Sequence, residues 1–531
     1  MAIIAIEYTD DHFVEFDHSN KLDSKHISLV RRQIWREKRS KIKVPTPGRF
    51  RWTQPLMSVV NKGNSDPFNV LPVKITPSVN KAISFLRDSF VPSLYLTPFF
   101  GRCSEGDTAK TASLERSSFI SYQLVKRTWD TICLGLCDEV TAATSLTTGL
   151  ALITRTMPGA TKQDRVSLLE MQTEAYRLVR SKLEKGEIVK NENEKMKFVL
   201  QLYWLFRADC VLGNIATAIK HGKMLQYFLR ETNVAMDHTF ISYLIGSDTE
   251  IAAKTMQRTV LDIDYWIPSL FAPHWPLWES LLPEVSSGYI EAVDSVINTE
   301  PLLGLFYRSR RLLAIAEHPK CKVKDPASAE ALVLYTWTRG VVDLGHFINH
   351  YMDLATLLET AGGEESLGEI GSQASISLAA LCMMRWIAHT ATINGVDLRD
   401  ASGTIISHLQ QRMEQVQSVC SPEELKRYER AYLWIFFIGA LYYQKKNKID
   451  QWPVKSWFHE RLRSHARAMN IVAWPDLRQV LQNFVYSDHV EPNGALWIGK
   501  TLELTLSDPL IGKTFPAVGQ SCGHQSEIVL R

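Results

Sequence analysis

One stretch of the 531-residue chain, Gly494-Ala495-Leu496-Trp497-Ile498-Gly499-Lys500-Thr501, has the G-x-x-x-x-G-K-[ST] spacing of a phosphate-binding loop. In such a loop backbone amides cradle the phosphates, the lysine meets the terminal phosphates and the hydroxyl holds magnesium. The context argues against that chemistry here. Val485 to Asn493 does not read as a buried strand, the interior Leu496-Trp497-Ile498 is bulky where backbone must approach phosphate, and βαβ units are missing throughout. The stretch reads instead as a short helix with Leu496, Trp497 and Leu502 on its core face. His346 and His350 stand at i and i+4, a spacing that binds zinc on one helix face, with Asp343 and Asp353 near them. Both fall off the apolar stripe of Val341, Leu344, Ile348 and Tyr351, and no H-E-x-x-H is present, so they read as solvated or helix-flanking. Asp10-Asp11 lies in the N-terminal tail, and Asp262 and Asp264, two apart, would point to different faces of a helix. No nucleophile elbow and no G-x-G-x-x-G precedes a helix.

The eight cysteines are scattered and no C-x-x-C occurs; Cys133 and Cys137, four apart, have no second pair to complete a zinc site. Their apolar surroundings, such as Leu381-Cys382-Met383, suit reduced thiols in an intracellular protein. From these residues no catalytic group, metal or cofactor is assigned, and the chain is expected not to be an enzyme.

Charge is concentrated at one end. Arg31, Arg32, Arg36, Lys38, Arg39, Lys41 and Lys43 put seven cations into thirteen residues. Residues 1–51 hold eleven basic residues less seven acidic ones, or +4, so a chain of net +3 has about −1 for everything after. Such a run reads as a nuclear-import signal, as a nucleic-acid contact or as a solvated surface helix with Leu29, Ile34 and Trp35 on one side. Val44-Pro45-Thr46-Pro47-Gly48 and Asn61-Lys62-Gly63-Asn64-Ser65 follow it and discourage regular structure.

Those residues are followed by a helical body. At 45% hydrophobic and 22% charged the chain can bury a large core. In 334–358 the residues Leu334, Trp337, Val341, Leu344, Ile348, Tyr351, Ala355 and Leu358 step alternately by three and four, one stripe down a long helix. Residues 162–184 repeat the pattern, and 198–212 with 215–229 read as helix, Gly213-Asn214 turn, helix. Further helices are expected near 119–155, 250–261, 302–316, 375–393, 401–418, 422–444 and 455–469, the 422 start marked by a Ser421 N-cap, Pro422 and two glutamates. Alternating strand patterns are nearly absent. The expected fold is all-α, a large array of antiparallel helix pairs over residues 66–515. It is preceded by a basic, largely disordered tail and linker over 1–65 and followed by a polar tail over 516–531. Ala2 to Ile6 is too short for a signal-peptide core, and Ala431 to Tyr443, the longest apolar run, is too short to cross a membrane, so a soluble protein without membrane contact is expected.

Three stretches carry a resemblance. They are the basic segment around 26–43 after Phe13-Val14-Glu15-Phe16-Asp17; Asp66-Pro67-Phe68-Asn69-Val70-Leu71-Pro72-Val73 with Thr76-Pro77 and a helix ending Phe90-Val91-Pro92; and Gly213-Asn214-Ile215-Ala216-Thr217-Ala218-Ile219-Lys220-His221-Gly222-Lys223-Met224-Leu225. In this order they resemble the fungal-specific transcription factor domain family, and Ala431 to Tyr443 is similar to a tryptophan-containing helix late in that domain. Members open with a binuclear zinc cluster, C-x2-C-x6-C repeated, whereas no cysteine precedes Cys103 here. The resemblance implies a nuclear, or nuclear and cytoplasmic, regulatory domain without its DNA reader. Its implied partners are transcription-related proteins and an import receptor, and a homodimer is compatible with it. A helical-repeat scaffold and a nucleotide enzyme built on 494–501 stand as alternatives, although no 34-residue period is visible.

Seven cations without a rigid scaffold can neutralise phosphates but cannot reach base edges in register. DNA binding by the intact chain is therefore expected to be weak and indifferent to sequence, with a log-affinity against log-salt slope no steeper than about −6 for seven contacts. Salt-resistant or sequence-selective binding in a fluorescence-anisotropy titration would contradict this.

Overall fold

The computed structural model describes residues 71–91, 126, 128–157, 159–186, 192–231, 238–281, 287–317, 326–360, 364–391, 398–446, 456–487 and 494–502. All of them fall in one compact unit, Pro55–Arg531. The protein is all-α: among the described residues every regular element is helical.

Local signals set the first helices. Helix α1 (Pro77–Phe85) starts where the Thr76 hydroxyl accepts the Val79 amide at 3.2 Å, and it runs into a π-helical turn, Leu86–Phe90. Helix α2 (Glu139–Thr156) is capped by Asp138, which accepts from Thr141 N, so the helix expected over 119–155 breaks there. Helix α3 (Lys162–Glu184) opens with a reciprocal capping box between Thr161 and Asp164. Asp164 also takes Ser78 Oγ and Lys81 Nζ, each at 2.8 Å, binding α3 to α1. Burial alone would raise that carboxyl, but the Lys81 ammonium and the amide and hydroxyl donors hold it down to about 2. Helix α4 (Glu192–Leu212) ends at Gly213, whose φ of +78° is the left-handed angle that a glycine takes without strain, and α5 (Ile215–Arg230) turns back against α4. Within α5, Ala218 is buried and Ala216 exposed.

The second half is built around two helices that are buried on every side over much of their length. Helix α6 (His238–Thr255) is followed by the short α7 (Trp266–Phe271), α8 (Trp275–Leu281) and α9 (Ser287–Glu291), none of which the periodicity indicates. Then come α10 (Leu302–Glu317) and α11 (Pro326–Thr360), whose 35 residues span about 52 Å at 1.5 Å each. The stripe read from the sequence is its core face, with Val341, Leu344, Ile348, Tyr351 and Ala355 all buried. Helix α12 (Glu364–Ala391) lies against α11, and α13 (Leu398–Val419) against α12. The predicted 422–444 helix is two: α14 (Pro422–Arg427), with the Ser421–Glu424 capping box, and α15 (Glu429–Lys446). The last three are α16 (Trp457–Ala468), α17 (Trp474–Leu481) and α18 (Gly494–Leu502).

Residues 371–386 of α12 and 431–441 of α15 are buried without interruption, so both helices bury every face. Leu367–Trp386 is long and apolar enough to cross a membrane, yet 83% of that window is buried inside the protein, as a core helix is. Helix α15 meets α16 at Gly439, where a methyl group would land inside the fully buried Phe458 ring. Alanine in an ordinary helix interior stabilises by roughly 0.5–1 kcal/mol over glycine. Here overpacking dominates, and Gly439→Ala is expected to cost about 1–3 kcal/mol. The check is the urea midpoint at constant m; Phe458→Leu in the same background should recover part of the loss, and a neutral or stabilised Gly439→Ala would show that the helices do not meet there.

Candidate functional site

The residues singled out by their spacing go to different places. The basic patch Arg31, Arg32, Arg36, Lys38, Arg39, Lys41 and Lys43 lies outside the described residues, as does Asp10-Asp11. The 494–501 pattern lies wholly within α18, where the backbone is helical and cannot wrap a phosphate. Trp497 and Leu502 are buried as expected, and the Trp497 ring stacks on Phe437 at 5.6 Å between centroids. Cys137 donates its thiol to the Cys133 carbonyl at 3.7 Å, and no group of three metal-ligating side chains occurs among the described residues. Cys210 and Cys382 are buried, Cys133 and Cys420 half-buried, and Cys137 exposed; no disulfide joins them.

His346 and His350 are not solvated. His346 Nδ1 makes a 3.2 Å hydrogen bond with Asp264, and His350 packs inward, its Nε2 buried without a partner and its proton affinity lowered by burial. Asp262 and Asp264 are not on a helix either. Helix α6 stops at Thr255, six residues before the expected 261, and Met256 takes a φ of +49°. The segment 256–265 then crosses between α5, α6 and α11 as a strap, because polar side chains on all three helices hold its backbone out of helical form.

Those ties form the most developed polar constellation among the described residues. From α6, Asp248 accepts the Val260 amide at 2.9 Å and the Leu261 amide at 2.8 Å. From α5, Gln226 Oε1 accepts the Asp262 amide at 3.0 Å, while Arg230 pairs with the Asp262 carboxylate at 2.8 Å. From α11, Asn349 Oδ1 accepts the Thr259 amide at 3.0 Å and its Nδ2 donates to Asp264 at 3.2 Å. Arg258 bridges Asp264, at 2.6 Å, and Asp353. The His346 hydrogen bond and charge, aided by Arg258, hold Asp264 below the usual carboxylate range despite burial. Asp248 is the opposite case: full burial pushes its carboxyl up to about 7 against the pull of the two amides.

A second cluster centres on Asp209, which is fully buried on α4. It accepts Tyr176 Oη at 2.8 Å from α3 and Asn214 Nδ2 at 3.1 Å, and it meets His221 Nδ1 at 2.9 Å from α5. Burial, then the Asp209 charge, raise the Tyr176 hydroxyl well above its ordinary value, so it stays a donor. Arg310 is likewise fully buried; its guanidinium donates to the carbonyls of Gln482, at 2.5 Å, Phe484, at 2.8 Å, and Tyr289, and lies 4.4 Å from the Tyr289 ring. In each cluster most of the bonds run between elements, and the chemistry they perform is positioning. Spacing singles out Asp262 with Asp264 and His346 with His350; Asp248, Arg258, Asn349 and Asp209 carry no local signal.

No family model, curated protein or solved structure matches the chain. The resemblance drawn above therefore rests on its own residues.

Near α18, His459 is 3% exposed, with Nδ1 at 2.8 Å from Ser456 Oγ. Burial, and then the Arg463 charge, depress it to about 4. Since the unfolded imidazole titrates near 6.5, the unfolded chain binds more protons between these values, and His459 destabilises the fold as pH falls from about 6.5 toward 4. The stability of wild type relative to His459→Gln is expected to fall by at most about 3 kcal/mol across that window and to stay constant above pH 7. A difference that does not change with pH in urea titrations would place a charged imidazole in the fold.

Proposed function

We propose that the chain is a non-enzymatic, transcription-regulator-like nuclear protein, acting through protein contacts made by a helical regulatory domain and carried into the nucleus by its basic segment. The observation that carries this reading is the concentration of seven cations in residues 31–43 ahead of a body of nearly zero net charge. An import receptor needs only an accessible extended basic run, and Pro45 and Pro47 disfavour continued helix beyond it. The ordered Asp66-Pro67-Phe68, Leu71-Pro72 and Gly213-Asn214 motifs support the regulatory-domain half of the proposal. So does the use of buried ionisable groups in the body, which join helices rather than converge on one reacting centre. A scaffold without a transcriptional role is favoured by one observation, the stacking of sequence-adjacent helix pairs.

Two measurements decide. Replacing Arg31, Arg32, Lys38 and Arg39 by Ala in the tagged full chain is expected to abolish nuclear accumulation, and unchanged accumulation would remove the import assignment. Nuclear pull-down with chromatin mapping, comparing the intact chain with one lacking residues 1–51, is expected to recover transcription-related proteins through the body. Recovery of only cytoplasmic partners would favour the scaffold.

A further inference from the structure

We propose that the strap 256–265 is a proton-sensitive conformational device latched by Asp248, closed more tightly in acid and opening progressively toward neutral pH. The device stands whether or not the chain regulates transcription.

The geometry comes first. Asp248 is fully buried, and both of its hydrogen bonds are accepted from backbone amides of the strap. Among the described residues no cation forms an ion pair with it. Two amides compensate a carboxylate only in part for the water it loses, so the closed strap favours the neutral acid. If the strap lifts, the same carboxyl meets water and returns to the ordinary carboxylate range. The closed form therefore holds the proton more tightly than the open form. Burial places the closed-form carboxyl at about 7. Between the two values each pH unit increases the open fraction by up to tenfold, and above about 7 both forms are ionised and the dependence ends.

The neighbours decide whether other groups could imitate this. On α6 itself, Lys254 and Glu250 pair with each other at 3.7 Å. From α4, the Cys210 thiol, raised by burial, interacts with Asp248 and with Arg207, Asp209 and Lys254. The Asp248 shift itself is set by burial against the two strap amides. On α5, Arg230 holds Asp262 and His221 is taken up by Asp209. On the strap, Arg258 engages Asp264 and Asp353. On α11 stand His346, bonded to Asp264, and the inward-packed His350. A protonated His346 would strengthen its bond to Asp264 and tighten the strap in the same direction, so it is the group that must be separated from Asp248.

What the latch controls follows from what the strap holds. Opening releases Asp262 from α5 and Asp264 from α11 together, because the two carboxylates flank Ile263, which is fully buried and lies against Gly345 of α11. It would also carry away Tyr265, already 82% exposed.

The test is hydrogen–deuterium exchange of the full chain, read by mass spectrometry on peptides spanning 256–265 from pH 5 to 8 and divided by the intrinsic exchange rate. Protection of the Val260 and Leu261 amides is expected to fall up to tenfold per pH unit and to level off near 7. His346→Gln should keep that dependence, and Asp248→Asn should abolish it. A flat wild-type profile, a dependence that survives Asp248→Asn, or one that disappears in His346→Gln overturns the proposal. Should Asp248→Asn fail to fold, infrared titration of the wild type decides: a protonated-carboxyl stretch that persists at pH 6 and bleaches toward pH 8 supports the latch, and its absence at pH 6 overturns it.

Discussion

Because residues 371–386 and 431–441 are buried without a break, the middle of the protein offers no water to any polar group that packing traps there. An unpaired buried amide, hydroxyl or guanidinium costs about 1–3 kcal/mol, and a charge costs more. The internal bonds answer this constraint. Ser372 and Tyr432 share a 2.7 Å hydrogen bond between α12 and α15, and Gln373 donates to the Val296 carbonyl at 2.8 Å and to Tyr428 Oη at 3.0 Å. The indole of Trp434 donates to the Val485 carbonyl at 3.3 Å, and Arg385 of α12 reaches Glu250 of α6 at 2.7 Å. Arg310 serves the irregular chain after α17 in the same way, supplying donors to carbonyls that no helix satisfies. The apolar helices thus dictate where polar side chains must reach, and those reaches fix the order in which helices pack.

The aspartates show how far environment outweighs residue type. Asp164 gathers an ammonium, two hydroxyls and an amide and is held to about 2. Asp248 has two amides and no cation and rises to about 7. Asp209, equally buried, is surrounded by neutral donors and one imidazole. The first makes a strong static tie between α1 and α3, because its charge is stabilised at every physiological pH. The second ties the strap through a group whose charge the site resists. That difference is why the strap is a place for conformational response and the α1–α3 contact is not.

The proposed function separates along the chain in the same physical terms. A body whose charges balance and whose ionisable core groups join helices suits contact with other proteins, and a short cationic run suits capture by an acidic receptor. Neither role asks for a concave catalytic site, and the candidate loop at 494–501 is occupied in closing the core against Phe437 and His459.

The sequence alone determined whatever depends on neighbours within about four positions. The helical class, the stripe on α11, the Ser421 cap, the turn at Gly213 and the core-facing Trp497 are of this kind, since helix periodicity and capping are local. The charge concentration in 31–43 was likewise legible as composition. Tertiary structure alone decided where α6 ends, because the residues that unwind 256–265 lie on three helices, and Asp248, Gln226 and Asn349 have no local reason to matter. It decided that His346 and His350 turn inward, since heptad position places a side chain relative to its own helix and says nothing of a strap laid across it. The short helices α7, α8, α9 and α17 were also out of reach: pieces of five to eight residues are too short to form in isolation or to display a period, and in α8 and α17 the rings of Trp275, Trp278 and Trp474 are packed into the core.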